Sequence, residues 1–287
     1  MVARRAIATV PKAPESPGPS VVDGIRVGVG GWTYAPWRDN FYPAGLVQRR
    51  ELEYASRHLT AIEINGTWYG AQKPATYAKW RDETPDGFVF SVKAPMRITM
   101  ARDLAATGRQ IDAFLAGIVT LADKLGPIVW QFDPMRKLQL DDLARFAELL
   151  PADVDGRRLR HVLDVRVHSV ICPEFVALAR KHGMATVYTD SAEHPSFADV
   201  TADFVYARLM GTRSSIPTGY PQKDLQGWAE RARAWARGGE PDDLPRVGAD
   251  PAVPAAHRDV FVYFISGAKE RNPAAAQALL QLLGTKP

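Results

Sequence analysis

The sequence predicts an α/β fold in which eight parallel strands, each followed by a helix, close into one barrel. Three observations carry this. Eight short runs rich in β-branched and aromatic residues alternate with longer segments whose apolar residues recur every three or four positions, the pattern of β–α units and a parallel sheet. The alternation fills about residues 25–284 of the 287-residue chain, close to the roughly 250 residues of an eightfold triosephosphate-isomerase-type (TIM) barrel. The rival fold, an open doubly wound sheet, needs G-x-G-x-x-G after its first strand, and here the third glycine is replaced by Thr33.

Residues 1–22 hold few large apolar groups and four prolines within the first twenty. Such a segment cannot bury enough surface to offset its ordering and reads as a flexible tail; residues 23–287 form the single barrel domain. The strands are expected at 25–29, 61–64, 88–92, 127–132, 160–165, 185–189, 203–209 and 260–265. Helical spacing marks 49–58, 74–82, 140–150, 173–182, 224–237 and 273–283. The clearest helix is 109–125, where Ile111, Leu115, Ile118, Leu121, Ala122 and Leu125 form one stripe. Gly126 and Pro127 follow as a helix stop and strand start. The Pro- and Gly-rich segment 238–258 reads as a surface loop.

Composition excludes several classes. Hydrophobic residues are 46% and charged residues 24%, ordinary for a globular protein. One cysteine, Cys172, rules out an internal disulfide framework and a Cys-rich zinc site. No apolar run reaches the ~18 residues of a membrane span. The only apolar stretch near the start, residues 6–10, is shorter than a signal-peptide core. A cytoplasmic protein is therefore expected. With 36 basic and 32 acidic residues the formal charge is +4, without the Lys/Arg blocks of a duplex-wrapping protein.

In such barrels chemistry collects at the C-terminal strand ends. Strand residues alternate faces, and helix-facing positions are apolar, so polar residues sharing a face near strand ends should point inward. Those residues are Glu63 and Asn65 on the second strand and Lys93 on the third. The fourth gives Gln131, the fifth Asp164 and Arg166, the seventh Arg208. Two carboxylates against three cations make a net positive pocket that favours a phosphate or carboxylate. Glu63 and Asp164, on strands across the barrel, suit acid–base roles. Lys93 could form a Schiff base, as strand lysines of barrel aldolases do; a clamp on an anion is the stronger reading from sequence. The plain alternative is a network of inward ion pairs closing the mouth, but burying five charges for packing alone is costly. Loop aromatics Trp32, Tyr34 and Tyr69 suit stacking on a ligand, whereas Trp37 and Phe41 read better as loop anchors. The six histidines lack metal-ligand spacing, and neither a nucleophile elbow nor a phosphate-binding Walker loop occurs. No cofactor and no metal is expected, and Cys172 reads as helix-start packing.

Longer motifs carry a resemblance. The segments VGVGGWTYAPWRDNFYP (27–43), TAIEINGTWYGAQKPATYAKWRDETPDGFVFSVKAP (60–95), PIVWQF (127–132), DFVYARLMG (203–211) and VYFISGAKERNPAAAQALL (262–280) resemble domain-of-unknown-function family 72, the YecE-like proteins. The resemblance covers about 25–284 and implies a TIM barrel, without an established reaction. Its recurrent mouth residues match at Trp32, Tyr34, Trp37, Glu63, Asn65, Thr67, Tyr69, Lys93, Pro95, Gln131, Arg166, Arg208, Gly211 and Asn272. The chain departs from it in three places. Asp164 stands where the family has Glu. The His-Ser-Trp after Arg166 is displaced to Val167-His168-Ser169. The Asn-Asn-Asp ending of the last strand is Ile265-Ser266-Gly267.

The expectation is an enzyme, a hydrolase or lyase acting on a small phosphorylated, carboxylated or sugar-like substrate. Glu63, Asp164 and Lys93 would be catalytic. Trp32, Tyr34, Asn65, Tyr69, Gln131, Arg166, Arg208 and Asn272 would bind substrate. The alternatives are a nucleic-acid-binding or processing factor and a metabolite-binding barrel without turnover. A monomer acting away from membranes is expected.

Overall fold

The computed structural model describes residues 18–248 and 253–284. The barrel closes because the first strand, β1 (Ile25–Gly30), pairs in parallel with both β2 (Ala61–Ile64) and the last strand, β10 (Asp259–Phe264). Between them run β3 (Val89–Lys93), β4 (Leu125–Phe132), β7 (His161–Val165), β8 (Ala185–Thr189) and β9 (Phe204–Leu209). The order around the barrel is β1-β10-β9-β8-β7-β4-β3-β2. All eight strands expected from the sequence form, and the sheet has no open edge.

The helices are α1 (Glu51–Ser56), α2 (Pro74–Glu83), the one-turn α3 (Met96–Thr99), α4 (Gly108–Ile118), α5 (Leu140–Glu148), α6 (Pro173–Lys181), α7 (Gln222–Ala236) and α8 (Asn272–Leu282). Alternate strand residues serve two apolar layers. Ile62, Phe90, Trp130 and Val262 face the helices, while Ala61, Val129, Val162, Tyr206 and Tyr263 fill the barrel. Gly28 is what admits that filling. A Cβ there would lie 2.0 Å from Ala61 O and 3.3 Å from the Tyr263 ring.

The stripe from Ile111 is not one helix. Regular α structure stops at Ile118, a 3-10 segment runs on through Val119–Lys124, and Ala122 adopts φ 55°. Leu125 already belongs to β4, and Gly126 lies inside that strand. A Cβ on Gly126 would fall 2.3 Å from Val89 Cγ1, so this glycine marks close strand approach, not a helix stop.

A small hairpin was not expected: β5 (Asp153–Val154) against β6 (Arg157–Arg158). Asp155 and Gly156 turn it with φ 53° and 73°, the two positive-φ positions of a type I′ turn. The described parts of 238–258 are tethered to the barrel. Asp199 accepts from the backbone N–H of Val247 and Gly248, and buried Arg258 donates to Gly239 O and Val253 O. Val22 bridges to Ile25, and Gly18 lies beside Ser56 and Pro85. Residues 1–17 of the expected tail lie outside the described residues.

Candidate functional site at the barrel mouth

The alternation of each strand brings the polar set together inside the barrel near its C-terminal end. Register places Gln131 beside Asp164 and Glu63 beside Ser91. Arg208, from β9, joins the two carboxylates. Its Nη2 donates to Glu63 Oε1 at 2.8 Å and its Nη1 to Asp164 Oδ2 at 2.7 Å, with Gln131 Oε1 at 3.4 Å. The second oxygen of Glu63 accepts from the Tyr206 hydroxyl at 2.6 Å, which lies 2.7 Å from Ser91 Oγ. Arg166 adds two longer bonds to Asp164, from Nε at 3.4 Å and Nη2 at 3.2 Å.

Burial opposes the charge on Asp164, but Arg166 and Arg208 outweigh it and hold its carboxyl below the usual range. Tyr206 is pushed well above its ordinary value by burial and by Glu63, so its hydroxyl is a proton donor at any physiological pH.

Lys93 differs from the rest. Its Nζ has no hydrogen bond or salt bridge among the described residues, and sits 4.0 Å from the centroid of the Trp68 ring. Local structure puts Trp68 there. Thr67 Oγ1 reaches Lys93 O at 2.6 Å and Ile64 O at 2.9 Å, fixing the 3-10 turn Gly66–Trp68 over the end of β3. Burial, and next the charge of Arg208, lower the Lys93 ammonium from 10.5 to about 8 against the pull of Glu63 and Asp164.

Exposure grades the set by depth. Glu63 is 0% exposed, Arg208 2%, Asp164 5%, Gln131 6% and Lys93 8%. The Arg166 side chain reaches 16%. A ligand entering from outside thus meets Lys93 and Arg166 before the carboxylates.

The remaining expected residues divide. Asn65 is half-buried beside Gly30, 2.6 Å from where a Cβ on that glycine would stand. Tyr34 packs edge-on against Trp37, with Lys269 Nζ 4.5 Å from its ring centroid. Tyr69 is 82% exposed. Trp32 packs edge-on against Trp80 of α2 and near Phe90, toward the layer beneath the helices. Asn272 is buried and spends its amide on Thr212 and Ser266 O, tying two mouth loops together. Trp37 and Phe41 are buried anchors, with Trp37 Nε1 donating to Lys269 O.

Three contributors were given no site role from sequence: Tyr206, which shares the inward face of Arg208, Trp68, an aromatic following the second strand, and Lys269. The last two lie on loops whose course no periodicity reveals. Ile265 sits in the interior layer, with Cγ1 3.4 Å from the Cβ position of Gly30, in place of the polar ending expected of the last strand. Among the described residues no three His, Cys, Asp or Glu side chains group as a metal site would require. A cavity of about 700 Å³ opens at the opposite end of the barrel, beside Arg57, Thr84 and Lys124. Its cations already serve backbone carbonyls: Arg57 donates to Glu53 O, and Lys124 to Arg81 O and Thr84 O.

Fold and site define a TIM-barrel protein whose C-terminal mouth is lined by charged side chains. The family model described as "Protein of unknown function DUF72" matches residues 26–287, and the chain belongs to that family. The UPF0759 protein YecE of Escherichia coli K12 is 29% identical over 142 residues, 48% of this chain and 48% of that protein. The UPF0759 protein YunF of Bacillus subtilis is 26% identical over 126 residues, 42% and 44% of the two chains. The chain thus spans about half the length of the curated relatives it matches. Among solved structures, a DUF72 family protein of Thermotoga maritima superposes with a TM-score of 0.67 at 19% identity, over 89% of this chain and 96% of that one. One from Enterococcus faecalis superposes with a TM-score of 0.64 at 16% identity, over 91% and 98%. These likenesses concern the fold. No helix among the described residues is long and apolar enough to cross a membrane.

Proposed function

We propose that the protein is an enzyme of the hydrolase or lyase type, working in the cytoplasm as a monomer on a small substrate that carries a phosphate or carboxylate. The observation that supports this is the graded convergence of five charged side chains from four strands and one loop at a single barrel end. Their sum is +1: Lys93, Arg166 and Arg208 against Glu63 and Asp164. In this reading Arg166 holds the anion, Lys93 exchanges protons with the reacting groups, and Asp164, kept ionised by Arg166 and Arg208, stabilises positive charge that develops beside it. Glu63, with one oxygen on Arg208 and the other on Tyr206, fixes the floor on which the other groups are positioned.

The test is a thermal-shift screen of phosphorylated and carboxylated metabolites, run on the wild-type chain and on Arg166→Ala. The expected outcome is anionic compounds that raise the midpoint of the wild type only, one of which is consumed on incubation. Hits that ignore the substitution would refute the site.

The ion pairing of Glu63 and Asp164 with Arg208 favours a second reading, a metabolite-binding barrel without turnover. A tight binder that survives incubation unchanged would select it. Exposed Tyr69 keeps single-stranded nucleic acid in the comparison; flat oligonucleotide binding at low salt would eliminate that option.

A further inference from the structure

Arg166 and Lys93 meet an incoming ligand in different states. Arg166 rests on Asp164 through Nε and Nη2, which leaves Nη1 for an anion. Lys93 Nζ has no acceptor among the described residues. The two carboxylates that could pair it are held by Arg208 at 2.8 and 2.7 Å, and its neighbour is the face of an indole ring. A buried ammonium presents three donors, and leaving them unmet is costly. The neutral amine avoids that cost and carries a lone pair. An amine desolvated beside another cation is how proteins prepare a lysine nucleophile.

We propose that Lys93 forms an imine with the carbonyl carbon of a small oxo acid or phosphorylated carbonyl compound whose anionic group is held by Arg166. This rests on the mouth being an anion site, as argued above. In the step, the Nζ lone pair adds to the carbonyl carbon and the C=O π pair moves to oxygen. One proton passes from nitrogen to that oxygen, giving a carbinolamine. A second proton, from solvent, lets the hydroxyl leave as water. The product is a protonated imine, and no oxidant or reductant is needed. It withdraws electrons from the neighbouring carbon, which is the requirement of lyase chemistry.

The environment sets when the amine is free. The charged groups facing it are Arg208 from β9, Glu63 from β2, Asp164 from β7 and Arg166 just after β7. Burial and the two arginines favour the neutral amine; the carboxylates and the electron-rich face of Trp68 oppose it. Lys93 should therefore react far below the pH at which exposed lysines do.

The test incubates the full chain with glyoxylate and cyanoborohydride, which reduces an imine to a stable carboxymethyl-lysine, followed by peptide mass spectrometry. Lys93 should label at least about tenfold faster at neutral pH than exposed Lys73 and Lys79, with its rate rising through about pH 8. Lys93→Met should lose that label and keep the surface background. Arg166→Ala should slow labelling by glyoxylate but not by propanal. Uniform labelling of all lysines would overturn the proposal. So would a glyoxylate-induced rise in melting midpoint without label on Lys93, an outcome that leaves the anion site standing. Equal rates with glyoxylate and propanal would overturn the anionic substrate class. Neither label nor thermal shift with any anion would remove both readings.

Discussion

At the residue scale the mouth contrasts a charge that is paired with one that is not. Arg208 takes both carboxylates, and Lys93 is left beside Trp68. This has a measurable sign. The folded state lowers the lysine to about 8, whereas the unfolded chain keeps it near 10.4. Between those values the unfolded chain binds more protons on this side chain, so its contribution to stability rises with pH across that window. Below about pH 8 the folded protein bears the full penalty of a buried ammonium. Lys93→Met should therefore stabilise the protein by about 1–3 kcal/mol at pH 7, and the gain should shrink toward zero by pH 10.5. Urea unfolding at both pH values checks this; a gain that is constant with pH would contradict it.

At the element scale, backbone demands at a few glycines decide how strands approach and turn. Gly28 gives Tyr263 its place in the barrel and lets β1 lie close to Ala61. The atom in the way of a Cβ is a backbone oxygen, which cannot swing aside, so Gly28→Ala should cost about 3 kcal/mol. Gly156 turns the β5–β6 hairpin at φ 73° with nothing near its Cβ position. Gly156→Ala should cost only the left-handed backbone penalty, about 1 kcal/mol. Denaturant midpoints of the two variants compare them directly, and equal losses would refute the packing argument for Gly28. Sequence periodicity located most of these elements, but it missed the hairpin, although Asp155-Gly156 is a strong turn signal. Its strands are two residues long, too short for an alternation to register. Periodicity also ran the helix from Ile111 through Leu121 and on to Leu125. Leu121 stays buried across the kink, so the stripe continues where the helix does not.

At the scale of the whole molecule the question is which end of the barrel works. The cavity of about 700 Å³ lies at the N-terminal face, yet its cations are spent on loop carbonyls. The polar convergence lies at the C-terminal face, where the strand-end loops supply chemistry. An anionic ligand at 100 times its dissociation constant should stabilise the protein by about 2.7 kcal/mol. That stabilisation should persist in Arg57→Gln, at the basal cavity, and vanish in Arg166→Ala, at the mouth. The reverse pattern, read by thermal shift, would move the functional site to the other end.

The sequence by itself determined the eightfold β/α order and which strand residues share an inward face. Both follow from local periods, 2 for strands and 3.6 for helices, that any single segment displays. It also marked Glu63, Lys93, Asp164 and Arg208 as candidates, since a polar residue alternating with apolar ones inside a strand has few reasons to be there. Only the tertiary structure decided how those charges divide. Whether a carboxylate meets Arg208 or Lys93 depends on distances across the closed barrel, set by the register of eight strands together. The same closure seated Trp68 over Lys93 and turned Trp32 and Asn272 toward packing, because loop courses are fixed by contacts between segments far apart in the chain.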